Sequence, residues 1–145
     1  MNKVDEAIIE AVNLLYVPYI WGGDDPEKDD GLDCSGFIGY IFRKTGMLPP
    51  GYDRTAQGYF KRWSQNRLTE PARGGVALYG KSEGEITHIM LIVQPRACIG
   101  AVRGNKWVTT VGRAQQRGAR IDVRPVNYRK DLVAVLNPFK ESDHE

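Results

Sequence analysis

Apolar and polar positions alternate with a helical period in the first half of the chain and with strand-like runs in the second. Between Val4 and Tyr16, Ala7, Ile8, Ala11, Val12, Leu14 and Leu15 gather on one side of a helix. Pro18 cannot continue that helix, so it ends before it. The stretch YIWGGDDPEKDDGLD is rich in Gly, Asp and Pro and reads as a loop. A second helix opens at about Cys34, where Phe37, Ile38, Ile41 and Phe42 recur at helical spacing. Gly46 and Pro49-Pro50 stop it. A shorter third helix is predicted over about Thr55 to Trp63, with Ala56, Tyr59, Phe60 and Trp63 on one side.

From there the pattern changes to short runs of β-formers between turns: VALY at 76–79, HIMLIV at 88–93, CIGAV at 98–102, WVTTV at 107–111, RIDVRPV at 120–126 and LVAVL at 132–136. Helices first and strands afterwards predict an α+β fold, a mostly antiparallel sheet backed by helices. Residues 1–145 are expected to form one domain with a frayed tail at about 140–145.

At 41% hydrophobic and 26% charged, the composition is that of a globular protein. The net charge of +2 does not argue for nucleic acid. The basic residues Arg103, Lys106, Arg113, Arg117, Arg120 and Arg124 read as a solvated face or as an approach to an anionic partner, without the aromatic interleaving of a nucleic-acid groove. No apolar run is long enough for membrane insertion. Asp5, Glu6 and Glu10 interrupt the N-terminal apolar stretch, so no signal peptide is read and synthesis in the cytoplasm is expected. In that compartment the two cysteines, Cys34 and Cys98, are expected to be separate thiols, Cys98 buried in its apolar run.

The inventory of reactive side chains is short. Histidine occurs only at His88 and His144, and His144 sits beside the terminus. One internal histidine and two distant cysteines are poor material for a metal site, and no phosphate-binding glycine motif is present. No metal and no cofactor are therefore expected. Cys34 begins a helix, where the dipole and free N–H groups stabilise a thiolate and can receive an oxyanion. His88 opens an apolar strand that would hold it rigidly. The two together suit the Cys–His ion pair of a thiol hydrolase. On this chemistry alone Cys34 also reads as a buried small residue, and His88 as a satisfied histidine at a strand end.

The strings PYIWGG (18–23), GLDCSGFIGYIFRKTG (31–46) and THIMLI (87–92) resemble the NlpC family of bacterial cysteine peptidases. The likeness runs from about Asp5 to Phe139, and the YxWGG and DCSG elements are specific. The resemblance implies a rearranged papain-like α+β fold and a peptidoglycan substrate, with stem peptides cut next to D-γ-glutamyl residues. It implies that Cys34 is the nucleophile, His88 the base, and Tyr19 a helper at the thiolate or oxyanion. It assigns Asp33, Ser35 and Trp21 to substrate binding, Asp33 by pairing with a free amine. Tyr19 and Trp21 also suit plain packing, and Asp33 suits a helix N-cap.

Two positions depart from the family pattern. Gly75 stands where the PGDLVF element has its aspartate, and Gly100 stands where the residue that orients the base belongs. Gln94 is the nearby polar candidate for that orienter, with a backbone carbonyl or a water as alternatives. The segments IGAVRGNKWVTT and RIDVRPVNYRKDLVAVLNPF resemble phage and prophage members, which suggests release by phage-type delivery. Alternative readings with the same machinery are an N-acetylmuramoyl-L-alanine amidase or a toxin-like effector. A catalytically weak wall-binding or phage-assembly module is a further one.

Overall fold

The computed structural model describes residues 1–139; the tail with His144 lies outside the described residues. Helix α1 spans Lys3–Asn13, opened by Asn2, whose side chain accepts from the Asp5 N–H at 2.8 Å. Asp24–Asp25 (β1) and Gly31–Leu32 (β2) form a small antiparallel hairpin inside the stretch predicted as loop. Helices α2 (Cys34–Lys44) and α3 (Ala56–Trp63) follow as predicted. Then come β3 (Val76–Gly80), β4 (Ile86–Gln94), β5 (Ala97–Val102), α4 (Val111–Arg117), β6 (Arg120–Pro125) and β7 (Leu132–Leu136).

The large sheet runs β6-β5-β4-β3-β7, with every pairing antiparallel. The α+β class is therefore as expected. The predicted strand at 107–111 is a correction. Trp107 lies in a turn, residues 108 and 109 have no regular structure, and Thr110 caps α4, its hydroxyl accepting from the Arg113 N–H at 3.1 Å. Gly118 closes α4 in the left-handed conformation, φ 65°. The β-branched residues of WVTTV suggested a strand, but the cap at one end and the glycine at the other decide for helix.

The sheet is covered on both faces. Toward the helices, Val76, Leu78, Ile89, Leu91 and Ile99 pack against Phe37, Ile38, Ile41 and Tyr59. A smaller cluster on the opposite face holds Ala77, Tyr79, Met90, Ile92 and Cys98, with Tyr128 and Leu68 packed against it. Cys98 is fully buried there, as predicted. Burying both faces explains why β3 and β4 read as near-continuous apolar runs instead of alternating ones. Among the described residues, no helix is long and apolar enough to cross a membrane.

Candidate active site

The glycines of the first two motifs set the site's backbone. A Cβ on Gly36 would lie 1.9 Å from the Gly23 carbonyl oxygen, and one on Gly31 would lie 2.2 Å from that of Pro18. Segment 18–23 therefore passes in direct contact with segment 31–36. Their hydrogen bonds complete the seam: Leu32 N–H donates to Pro18, Ile20 N–H to Leu32 and Asp33 N–H to Gly23. Tyr19 is thus delivered beside the start of α2, where Cys34 stands. Its N–H donates to Ala119 on the other side, and Gly104 lies flat against its ring.

Asp33 caps α2. One carboxylate oxygen accepts from the Gly36 N–H at 2.7 Å and from the Ser35 hydroxyl at 3.4 Å, and the other accepts from the exposed Gly22 N–H at 2.9 Å. Burial nevertheless holds its carboxyl above the usual range.

Cys34, His88, Tyr19 and Trp21 line one cleft of about 880 Å³. Asp33 and Ser35 face a smaller cavity of about 240 Å³ beside it, together with Asp24 and Asp53. The Cys34 thiol lies 4.0 Å from the Thr87 carbonyl oxygen, which brings it to the first residues of β4. The register of β3 and β4 shifts there: Tyr79 pairs with His88 but Gly80 with Ile86, leaving Thr87 as the extra residue of a bulge. Such bulges re-aim side chains, and this one sits immediately before His88. Trp21 is 53% exposed on the rim, its N–H held by the Val108 carbonyl at 2.8 Å.

His88 has a partner, and it is not Gln94. Gln94 is exposed at the opposite end of β4, six positions from His88 and so roughly 20 Å away along the strand. The partner is Tyr128, whose hydroxyl lies 2.8 Å from His88 Nε2. Tyr128 comes from the β6–β7 connection, and Arg129 beside it forms a two-fold ion pair with Asp131 at 2.6 and 2.8 Å. A side chain at the usual orienter position would have to displace Met90. A Cβ on Gly100 would sit 2.4 Å from the Met90 sulfur, in a part of the core that is already full.

Burial opposes charge on both reacting groups. His88 is only 7% exposed, and burial, then the Arg129 charge, push its pKa down to about 3. Burial and then the Asp33 charge push the Cys34 thiol up to about 11, although the residue keeps part of its surface open to the cleft. The N–H groups of Ile89, Ser35 and Cys34 pull the thiol the other way, without prevailing. Both shifts disfavour the charged forms. Burial, then the charges of Cys34 and Asp33, also raises the Tyr19 hydroxyl, which stays a proton donor. Among the described residues no cluster of three or more His, Cys, Asp or Glu is placed to hold a metal.

The NlpC/P60 family model matches residues 16–124. The chain belongs to the NlpC/P60 family. Among curated NlpC/P60 relatives, the bifunctional muramidase/DL-endopeptidase CwlT of Bacillus subtilis is 33% identical over 95 residues, 64% of this chain and 27% of that protein. The chain therefore spans about a quarter of that relative's length. A solved NlpC/P60 protein from Bacillus cereus superposes with a TM-score of 0.73 at 17% identity, over 94% of this chain and 40% of that one. RipD from Mycobacterium tuberculosis, described as a non-catalytic NlpC/P60 domain protein adapted to peptidoglycan binding, superposes with a TM-score of 0.68 at 20% identity, over 94% of this chain and 98% of its own. The NlpC/P60 fold therefore accommodates both hydrolases and binders, and the side chains in the cleft must distinguish them.

Proposed function

We propose that this chain is a cysteine peptidase that hydrolyses stem peptides of bacterial peptidoglycan on the carboxyl side of a D-γ-glutamyl residue. The observation that carries the reading is a thiol at a helix start sharing its cleft with an imidazole whose Nε2 is held by the Tyr128 hydroxyl. The DL-endopeptidase in the name of the relative CwlT supports the bond type.

In the proposed reaction Tyr128 accepts from Nε2–H, which leaves Nδ1 unprotonated as the base. As the Cys34 sulfur attacks the scissile carbonyl carbon, its proton passes to Nδ1, and the carbonyl electrons move to oxygen. The Cys34 N–H and the Tyr19 hydroxyl receive that oxyanion. Collapse breaks the C–N bond, and Nδ1–H protonates the leaving amine. Water, deprotonated by the same nitrogen, then hydrolyses the thioester, and Cys34 leaves as the thiol. Burial of both groups favours a proton transfer that accompanies the attack. Asp33, Ser35 and Trp21 bind the acyl part, with the acidic cavity at Asp33 suited to a free amine.

The wall-binding alternative drew on Gly100, and the His88–Tyr128 contact supports the enzyme reading over it. The phage-like segments after Ile99 support a lysin or tail-associated setting. Digestion of purified peptidoglycan, followed by mass spectrometry, tests the peptidase reading. The wild type is expected to release new stem-peptide termini that Cys34→Ala does not. Free glycan with whole peptides would indicate an amidase, and binding without fragments would end the enzyme reading.

A further inference from the structure

Of the six basic residues that the sequence offered as one face, Arg103, Lys106, Arg117 and Arg124 line the cleft, whereas Arg113 and Arg120 stand outside it. Residues 86–121 contain no Asp or Glu, although the chain carries 18 acids. The next acid, Asp122, pairs with both Arg120 and Arg124, at 3.1 and 3.2 Å. Arg103, Lys106, Arg113 and Arg117 form no ion pair among the described residues, and all four are exposed. Arginine outnumbers lysine six to one between positions 96 and 124 and is outnumbered by it, six to seven, elsewhere. The face is therefore a run of guanidinium groups, with one ammonium among them.

The fold gathers these cations against their mutual repulsion. Arg113 and Arg117 stand four positions apart on α4, where like charges meet on one side and destabilise the helix. Arg117 Nε donates to the Arg103 carbonyl at 3.1 Å, which ties the end of α4 to the residue after β5. Arg103 keeps that place with φ 66°, in the left-handed region that a non-glycine residue seldom occupies. Gly118 joins the inner and outer halves of the face. A Cβ there would lie 3.9 Å from Arg103 Cδ, and Gly118 lines a small cavity of about 220 Å³ with Tyr16, Gln115 and Arg120. Two exposed rings flank the face, each with a cation over it: Arg120 stands 4.9 Å from the Tyr16 ring and Lys106 4.9 Å from the Trp107 ring. Like charges held this way, with so little acid to offset them, cost the free protein stability, and an anion bound across them restores it.

We infer that this face, from the cleft rim outward along α4, binds a phosphodiester polymer of the bacterial wall and anchors the protein there. Only the setting, the wall, comes from the peptidase reading; binding needs neither Cys34 nor His88. The preponderance of arginine selects phosphate, because the planar guanidinium fork donates two parallel bonds to phosphate oxygens. A repeating polymer supplies one anion for each of several cations, which a single small ion does not. The flanking rings argue against nucleic acid and lipid, since the cation on each occupies a ring face that a stacked base or an acyl chain would use.

Fluorescence anisotropy with labelled poly(glycerol phosphate) tests this. Wild type and Cys34→Ala should bind alike, with affinity falling steeply as salt rises. In the double variant Arg113→Gln, Arg120→Gln affinity should fall by about tenfold or more, at an unchanged melting temperature. The control Lys61→Gln, Lys81→Gln removes the same charge from exposed positions elsewhere and should lose less than about twofold. Equal losses in the two double variants, or no binding by wild type, would overturn the inference. So would binding that is as tight to poly(glutamate), to single-stranded DNA or to phosphatidylglycerol vesicles, each of which would assign a different partner. If wild type binds the polymer yet cuts no stem peptide, the peptidase reading fails and the anchor stands. If it cuts peptides and both double variants bind alike, the anchor fails and the peptidase stands.

Discussion

At the scale of single residues the decisive contact is the one between Tyr128 and His88. An imidazole with one nitrogen held is confined to a ring orientation, and the donor–acceptor sense of that bond selects the tautomer. Tyr128→Phe removes the bond and keeps the ring that packs on the second core cluster. A neutral hydrogen bond of this kind contributes on the order of 1 kcal/mol, so kcat should fall by roughly tenfold while the melting temperature changes little. A purely structural role would leave the tautomer untouched. The ¹⁵N shifts of His88 should therefore report Nε2–H in the wild type and a mixture in Tyr128→Phe; an unchanged spectrum with unchanged kcat would remove Tyr128 from the machinery. Cys34 and His88 could be singled out in the sequence because each lies in a contiguous motif, and the fold brings both to one cleft. Tyr128 could not, because it lies forty positions from His88 in a connection whose path only the fold reveals.

At the scale of elements, close packing between backbones decides which motif positions tolerate a side chain. The nearest neighbour of a Cβ on Gly36 is the Gly23 carbonyl, which cannot move without opening the seam under α2. On Gly104 the neighbour is the Tyr19 ring, at 2.1 to 2.3 Å. Gly36→Ala is therefore expected to lose folded protein. Gly104→Ala should fold, as judged by circular dichroism, yet lose at least tenfold in kcat/KM because Tyr19 is displaced from the thiol. Full activity in Gly104→Ala would show that the position of Tyr19 is immaterial. The same scale explains what the pattern of residues concealed. Helices α2 and α3 and five of the six predicted strands were readable from periodicity and breakers. Helix α4 was hidden by the β-branched run before it, although Thr110 and Gly118 carried its two end signals. Gly100 looked like a missing orienter, whereas Met90 occupies the space such a side chain would need.

For the molecule as a whole, the burial that dries the site also couples it to stability. His88 packs beside the rings of Tyr79 and Tyr128, which also touch each other, on the second, smaller core, with Arg129 and Asp131 as the charges that act on it. Its pKa is about 3 when folded and close to 6.5 when unfolded. Between those values the unfolded chain binds a proton that the folded chain refuses, so stability falls as pH drops through this window. At about 1.4 kcal/mol per pH unit the full loss reaches several kcal/mol, a large share of the roughly 5–15 kcal/mol that holds a domain together. Asp122 and Asp131, whose carboxyls are held below their ordinary range, also weaken the fold in acid, so the wild-type curve alone is ambiguous. His88→Gln separates the contributions, since glutamine fills much of the same space and does not titrate. Urea midpoints measured from pH 7.5 to pH 4 should run parallel for the two proteins above pH 7. Below pH 6 the wild type should fall faster, and the gap should widen with each unit. Parallel curves throughout would mean that the imidazole is solvated enough to charge in place, and the resting thiol would then face a cation instead of a neutral base.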